Sequence, residues 1–432
     1  MPVSTPFKIA IIGGGITGLT TALFLQHFCG RHKADIKVDV YEQAESYRDI
    51  GAGIIIGVNA AKLLHTIGVG HTVNAIAGSK DGVWFTLRRW DNGQEITTIY
   101  SHDNADIRQA AVSRARLLKV LLMFIKERKT AELHTSKKFL SVEDLGHLSR
   151  IKFTDGTFAE ANLVLGCDGT HSAVRRQFVH DKAVYAGKIV YRGLISMSEV
   201  TPIWSPPSYS SMWIGRGKHL VMYPIDRNKT LSFVLCVTQD EDKLGDLKES
   251  WSTTCDPKEL QDQFSDGNDF VCQVLALAQD GPSKWAIHDR EPIANWTFHN
   301  GKAVLLGDAA HPMVPHQAVG AGQGIEDGYI LSKALADHLD RLSSGESILT
   351  GLKDWMHLYQ QVQMPRASEV QNASRDTGRL CHLTAPVMEG KTLEDSLQTL
   401  VETLQERLQR VWSEDLDDLY QKVKAKTESL EL

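Results

Sequence analysis

Residues 7–42 constrain the fold of this chain more than any other stretch. The apolar run Phe7-Lys8-Ile9-Ala10-Ile11-Ile12 reads as a buried strand. The glycines that follow, Gly13, Gly15 and Gly18, fit the spacing GxGxxG ahead of a helical pattern from Leu19 to Phe28. Each glycine has its own task in such a turn: the first allows the tight bend, the second lets backbone approach a pyrophosphate, and the third lets helix and strand pack closely. A second strand over 36–41 ends at Glu42, whose carboxylate is placed to accept hydrogen bonds from a ribose diol and disfavours a 2′-phosphate. Strand, glycine loop, helix and terminal acid in that order predict an α/β unit that holds a dinucleotide. They leave open which dinucleotide it is.

Two later stretches repeat the pattern of a strand delivering a carboxylate into a glycine turn. Leu163-Val164-Leu165-Gly166 leads to Cys167-Asp168-Gly169, and Ala303-Val304-Leu305-Leu306 leads to Gly307-Asp308. The second of these continues through His311-Pro312 to Gly320-Ala321-Gly322-Gln323-Gly324, just before the helical pattern that opens with Ile325-Glu326-Asp327. A helix N-terminus offers unpaired N–H groups and the positive end of a dipole, which suits a phosphate or an electron-rich ring. Open α/β sheets bind ligands at the carboxyl ends of their strands. With no other GxGxxG after a strand, the simplest reading is one dinucleotide touched three times.

The bulk properties exclude other classes. With 432 residues, 42% hydrophobic and 23% charged, the chain can bury a large core and divide into two or three domains. A net charge of −6 gives no basic footprint for nucleic acid, so the expected partner is a small molecule. No apolar run approaches the roughly 18 residues of a membrane span, and the N-terminal apolar run goes straight into glycines, so a cytoplasmic location is expected. Cys29, Cys167, Cys236, Cys255, Cys272 and Cys381 form no CxxC pair, which points to small core residues, with neither a metal site nor a disulfide framework indicated.

On these motifs the chain closely resembles the class A flavoprotein aromatic hydroxylases, the single-component FAD monooxygenases, and within them the fungal salicylate-hydroxylase-like enzymes. The likeness is carried by Gly13, Gly15, Gly18 and Glu42, by Arg48-Asp49-Ile50-Gly51-Ala52-Gly53-Ile54 and Asn59, and by Ser113-Arg114-Ala115-Arg116-Leu117-Leu118. It continues through Cys167-Asp168-Gly169, Val190-Tyr191-Arg192-Gly193-Leu194-Ile195, His219-Leu220-Val221-Met222-Tyr223-Pro224 and Gly307-Asp308. The resemblance implies FAD as cofactor, NADH or NADPH and O2 as co-substrates, and hydroxylation of a small phenolic or salicylate-like compound by way of a flavin C4a-hydroperoxide. A polyketide-derived phenol, hydroxylated or dearomatised, is the alternative within the family.

Residue by residue, the resemblance implies that Arg48, Gly51, Ala52 and Gly53 touch the cofactor and that Arg114 binds its phosphates or ribose. Asp168 supports the pyrophosphate, Asp308 bonds the ribityl chain, and Pro315 lines the flavin's reactive face. Gly320, Ala321, Gly322 and Gln323 place N–H groups where charge collects on reduction. His311 is expected to be a loop histidine bonded to backbone. Where relatives carry Gly-Ala this chain has Ala318-Val319, and left-handed backbone must then be avoided at Val319.

Since the cofactor carries the hard chemistry, no nucleophilic triad or metal cluster is needed. The protein must orient the ring and favour phenolate. Arg192, between Tyr191 and Gly193, can clamp a phenolate or carboxylate bidentately. Tyr223 can donate its hydroxyl to the same oxygen, and His219 shares its face under period-two alternation. The fold expected is a Rossmann-like α/β FAD-binding domain of the para-hydroxybenzoate hydroxylase type, built from 1–82, 105–180 and 284–372. An antiparallel β-sheet substrate domain is expected from 83–104 and 181–283, and a helical region from 373–432 that caps the fold or supports a dimer, the protein being a monomer or a homodimer. A flavin halogenase lacks its tryptophan signature here, and a Baeyer–Villiger or N-hydroxylating enzyme would need a second GxGxxG. A flavin-binding regulatory protein that does not hydroxylate is the reading from a different class.

Overall fold

The structure is a computed structural model that describes residues 6–30, 35–47, 53–78, 83–100, 107–204, 210–245, 247, 253–344 and 351–430. Its nucleotide side is a six-stranded sheet in the order Thr297–Phe298, Ala303–Leu305, Leu163–Gly166, Phe7–Ile12, Ile36–Tyr41 and Glu132–His134. Every pairing but the first is parallel. The three strands that carry glycine motifs are therefore side by side, with Phe7–Ile12 and Leu163–Gly166 adjacent and Ala303–Leu305 next to them. Their continuous apolar character follows from burial on both faces: Ile11, Leu163, Val164 and Val304 are all fully inaccessible.

Helix Ile16–Cys29 packs on this sheet and against the long helix Gly320–Ser344. The two approach closely because small residues face each other. A Cβ on Gly324 would lie 2.3 Å from Thr17 Oγ1, and one on Gly328 would lie 2.4 Å from Thr21 Oγ1.

A seven-stranded sheet forms the other half, in the order Ser283–Asp289, Val184–Ser196, Thr230–Thr238, Lys218–Ile225, Ser211–Gly215, Val83–Arg89 and Glu95–Tyr100. All its pairs are antiparallel except Ser211–Gly215 with Val83–Arg89. One face carries Tyr191, Leu220, Met222, Phe233 and Leu235 into a core closed by helices Pro257–Gln263 and Asp269–Ala276. The other face looks toward the nucleotide side.

Two expected boundaries fall inside elements. The strand Ser283–Asp289 pairs with Val184–Ser196, so the sheet runs past the division expected at 283/284. Helix Leu352–Cys381 runs unbroken across 372/373, with Pro365 inside it. The tail is two helices, Leu393–Ser413 and Leu416–Leu430, of which the first presents Leu397, Leu400, Leu404 and Leu408 to the core at helical spacing. No helix among the described residues is long and apolar enough to cross a membrane.

Candidate active site

The two sheets enclose one cavity of about 1130 Å³. On its nucleotide side the three strand ends meet as adjacent loops. Gly13 adopts φ +109°, and a Cβ there would stand 2.3 Å from the carbonyl oxygen of Cys167, so the turn and the neighbouring motif both require glycine. A Cβ on Gly18 would lie 2.1 Å from Gly13 O, whereas nothing lies within 4 Å of one on Gly15, which faces open cavity. Helix Ile16–Cys29 begins there without a side-chain cap, leaving its first N–H groups toward the cavity. Glu42 accepts from Gly14 N and Ala44 N, each at 2.9 Å, and lines the same space.

The second and third loops are tied together by Arg175, 2% exposed. Its Nη1 donates to Ala309 O and Ala310 O at 3.2 and 2.9 Å, and its Nη2 to Asp181 at 2.7 Å. Asp168 accepts from Ser172 Oγ, Ala173 N and Val174 N, fixing the turn at the start of helix Ala173–Phe178. Burial raises its carboxyl pKa, and those hydrogen bonds oppose the rise.

Asp308 and Arg114 differ from these. Both line the cavity, and neither has a hydrogen-bond or ion-pair partner among the described residues. Burial raises the pKa of Asp308, while His311 and Arg114 pull it down. A carboxylate and a guanidinium held at a cavity wall without a hydrogen-bond partner among the described residues suit a ligand that offers hydroxyls and negative charge. Together with the open Gly15 and the uncapped helix, they fit a dinucleotide with a polyol chain.

The facing wall is the strand face of period-two side chains: Val190 and Arg192, Val234 and Cys236, His219, Val221 and Tyr223, and Met212. Arg192 lies over the Trp285 ring, 5.3 Å from its centroid. Burial lowers its pKa, Tyr223 opposes that, and Arg114 adds to it, so the cation sits in a poorly solvated place that favours an anion beside it. Pro315, exposed to the cavity, opens a short 3-10 turn with His316 and Gln317 on the loop between the walls.

A family model described as an FAD binding domain matches residues 7–350. The chain belongs to this family, the class A FAD-dependent aromatic hydroxylases. Among its relatives, 3-amino-4-hydroxybenzoate 2-monooxygenase PtnB3 of Streptomyces platensis is 32% identical over 382 residues, 87% of this chain and 89% of that one. The 6-methylsalicylate 1-monooxygenase atA of Aspergillus terreus is 30% identical over 434 residues, 96% of this chain and 91% of that one. A salicylate hydroxylase solved as a substrate complex superposes with a TM-score of 0.79 at 25% identity, covering 97% of this chain and 98% of that one. FAD is the cofactor, and the fold is the mixed α/β architecture of these enzymes.

Within the hydroxylase cavity the structure brings together Gly13, Gly15, Glu42, Gly53, Arg114, Asp168, Asp308, Pro315, Gly320 and Ala321 with Arg192, Tyr223 and His219. Gly18 lies behind the loop as a packing residue. Gly53 joins the walls, since a Cβ on it would meet Tyr223 Cε2 at 2.7 Å. Arg48, Gly51 and Ala52 lie outside the described residues. Gly322 and Gln323 do not line the cavity. The helix begins at Gly320, so its rotation turns Gly322 toward Asn59 and Ala60, and Gln323 toward Glu326, to which its Nε2 donates at 3.1 Å. Left-handed backbone falls on Ala318, φ +56°, and not on Val319.

His311 is bonded to a side chain, not to backbone alone: its Nε2 lies 2.6 Å from Asp327 Oδ2, in a pair 1% and 0% exposed. Burial lowers its pKa, but the charge and hydrogen bond of Asp327 outweigh that and leave it raised. Asp327 also accepts from Gly307 N at 2.7 Å and Gln363 Nε2 at 2.9 Å. Glu326, fully buried, takes a bidentate pair from Arg366 at 2.7 and 2.9 Å and a bond from Asn59 Nδ2 at 2.5 Å. These carboxylates hold the loop from behind. Sequence reading also missed Leu404, Arg407 and Leu408 of helix Leu393–Ser413, which line the cavity. Arg407 is anchored to Ala373 O and Thr377 Oγ1, each at 2.8 Å. Their leucine periodicity marked a buried helix and gave no sign of which cavity it would close.

Proposed function

We propose that this hydroxylase acts on a small phenol bearing an ortho carboxylate or a comparable anionic group, with NADH or NADPH and O2 as co-substrates. The observation that carries the reading is the Arg192 guanidinium, desolvated over Trp285 on the cavity wall opposite the dinucleotide loops. Bound FAD, once reduced, supplies the electrons and the activation of oxygen.

The chain's own residues do the rest. Arg192 pairs with the anion and, as a nearby positive charge, favours the ionised phenol. Tyr223 donates its hydroxyl to the same oxygen and orients the ring. Val190, Val221, Val234 and Met212 shed water around it. Arg114 and Asp308 bind phosphate or ribose and the ribityl hydroxyls, and the open N–H groups at Gly320 and Ala321 face the ring system where charge accumulates. Pro315 offers an apolar ring at the same place. The catalytic domain reads as two units, the six-stranded sheet with its helices and the seven-stranded sheet, with the tail helices covering their junction.

The test is the ratio of hydroxylated product to NAD(P)H consumed, measured over a panel of phenols with and without an ortho carboxylate. A ratio near one for the carboxylated members is expected. Arg192→Ala should weaken their binding by about 1.5–3 kcal/mol, the worth of hydrogen bonds to a charged group, and lower the ratio. Unchanged affinity and coupling in that variant would contradict the clamp.

A further inference from the structure

We propose that His219, Cys236 and His382 form a site for one soft monovalent d10 metal ion of the copper(I) type, at the end of the cavity away from Tyr223. The chain brings the three together from distant places. His219 and Cys236 are register partners on adjacent strands, and His382 caps the C-terminus of helix Leu352–Cys381 where that helix meets the sheet. One ring nitrogen of each histidine and the Cys236 Sγ all lie within 4.8 Å of one another. Metal bonds of roughly 2.0–2.3 Å would draw the three donor atoms together around one ion.

Two independent observations show that these atoms await a partner. His219 Nδ1 and His382 Nε2 are both buried without a hydrogen bond among the described residues, in residues 3% and 0% exposed. The other nitrogen of His382 is fixed by Thr238 Oγ1 at 2.7 Å, the outer-shell bond that aims a ligating imidazole. The rings do not stack to satisfy each other: the His219 and His382 centroids are 5.0 Å apart with planes 64° to one another. His316, 5.6 Å from His219, closes the cluster beside Pro315.

Charge selects the class of ion. Both imidazoles are buried beside Lys188, surroundings that disfavour their charged form, and neutral imidazole is the form that coordinates. Burial raises the Cys236 thiol, and Lys188 opposes the rise. On binding, the thiol releases its proton to solvent and a sulfur–metal bond takes its place, so a monovalent ion leaves the local charge unchanged. A divalent ion would add a positive charge beside Lys188. Thiolate and imidazole are the donors that suit soft copper(I). Because His219 and Cys236 also line the substrate cavity, an occupied site should slow hydroxylation.

The experiment is an anaerobic titration of the FAD-loaded enzyme against copper(I) buffered by bicinchoninate. One equivalent per chain should be withdrawn by the wild type and by Cys272→Ser, whose thiol sits elsewhere, on helix Asp269–Ala276. Cys236→Ser and His382→Gln, scored only in preparations with full flavin content, should bind at least tenfold more weakly. X-ray absorption of the wild-type copper form should show one sulfur and two nitrogens. No withdrawal by the wild type, equal binding by Cys236→Ser, or sulfur-only coordination would overturn the proposal.

Discussion

The two walls of the cavity are built from different materials. On the nucleotide side, backbone does the work: Gly13, Gly15 and the first turn at Gly320 present peptide groups, held from behind by the Arg175, Glu326–Arg366 and His311–Asp327 contacts. On the sheet side, side chains do the work: Arg192, Tyr223, His219 and a set of valines stand on a strand face whose backbone is occupied by ladder hydrogen bonds. Backbone recognition depends on a loop shape that few residue types permit, whereas a strand face accepts many side chains without changing shape. In the proposed function the first wall therefore fixes the cofactor, and the second is left to select the substrate.

That difference can be broken by exchanging the kinds of damage done to each side. Glu326→Ala leaves the Arg366 guanidinium, 7% exposed, without its bidentate partner, and should cost about 3–5 kcal/mol in chemical unfolding, with loss of flavin. A variant with wild-type stability and flavin content would mean that the loop does not depend on its buried support. On the substrate side, Leu404→Ala removes a side chain 4% exposed from the wall formed by the tail helix. A loss of about 2 kcal/mol with undiminished flavin, and acceptance of larger ring substituents, is expected. A smaller effect should come from Ala318→Gly, which relieves left-handed backbone and should raise stability by about 1 kcal/mol.

The finest test is the pH dependence of unfolding. His311 has a raised pKa in the folded chain because Asp327 outweighs burial. Its contribution is therefore fully present below the unfolded value near ~6.5 and is lost as pH rises through the folded value. Wild-type stability should fall on the alkaline side more steeply than that of His311→Gln. Equal slopes would remove His311 from the buried support.

The same contrast explains what the sequence revealed. The strand ends at Gly13, Asp168 and Asp308 were legible because a tight turn, a close backbone approach and a strand-end carboxylate each leave a residue-type signature at short range. The position of Arg192 and Tyr223 on the cavity wall was legible through family likeness and strand alternation. The stretch from Gly320 to Gly324 reads as loop because it is glycine-rich, whereas the helix expected from Ile325 starts five residues earlier, at Gly320, and carries Gly322 and Gln323 in its first turn. The division at 283/284 failed because Ser283–Asp289 pairs with a strand about a hundred residues away, a contact that composition does not record. His219, Cys236 and His382 carried no local signal, since only the packing of helix Leu352–Cys381 on the sheet brings them together.

One ligand-binding measurement tests most directly the claim that a single cavity holds cofactor on one wall and aromatic ring on the other. Oxidised enzyme is titrated with salicylate while the flavin absorption spectrum is followed, in wild type, Asp308→Ala and Arg192→Ala. The expected result is a saturable spectral perturbation in the wild type, little bound flavin in Asp308→Ala, and full flavin with a much weaker perturbation in Arg192→Ala. Full flavin in Asp308→Ala, or an undiminished perturbation in Arg192→Ala, would contradict it.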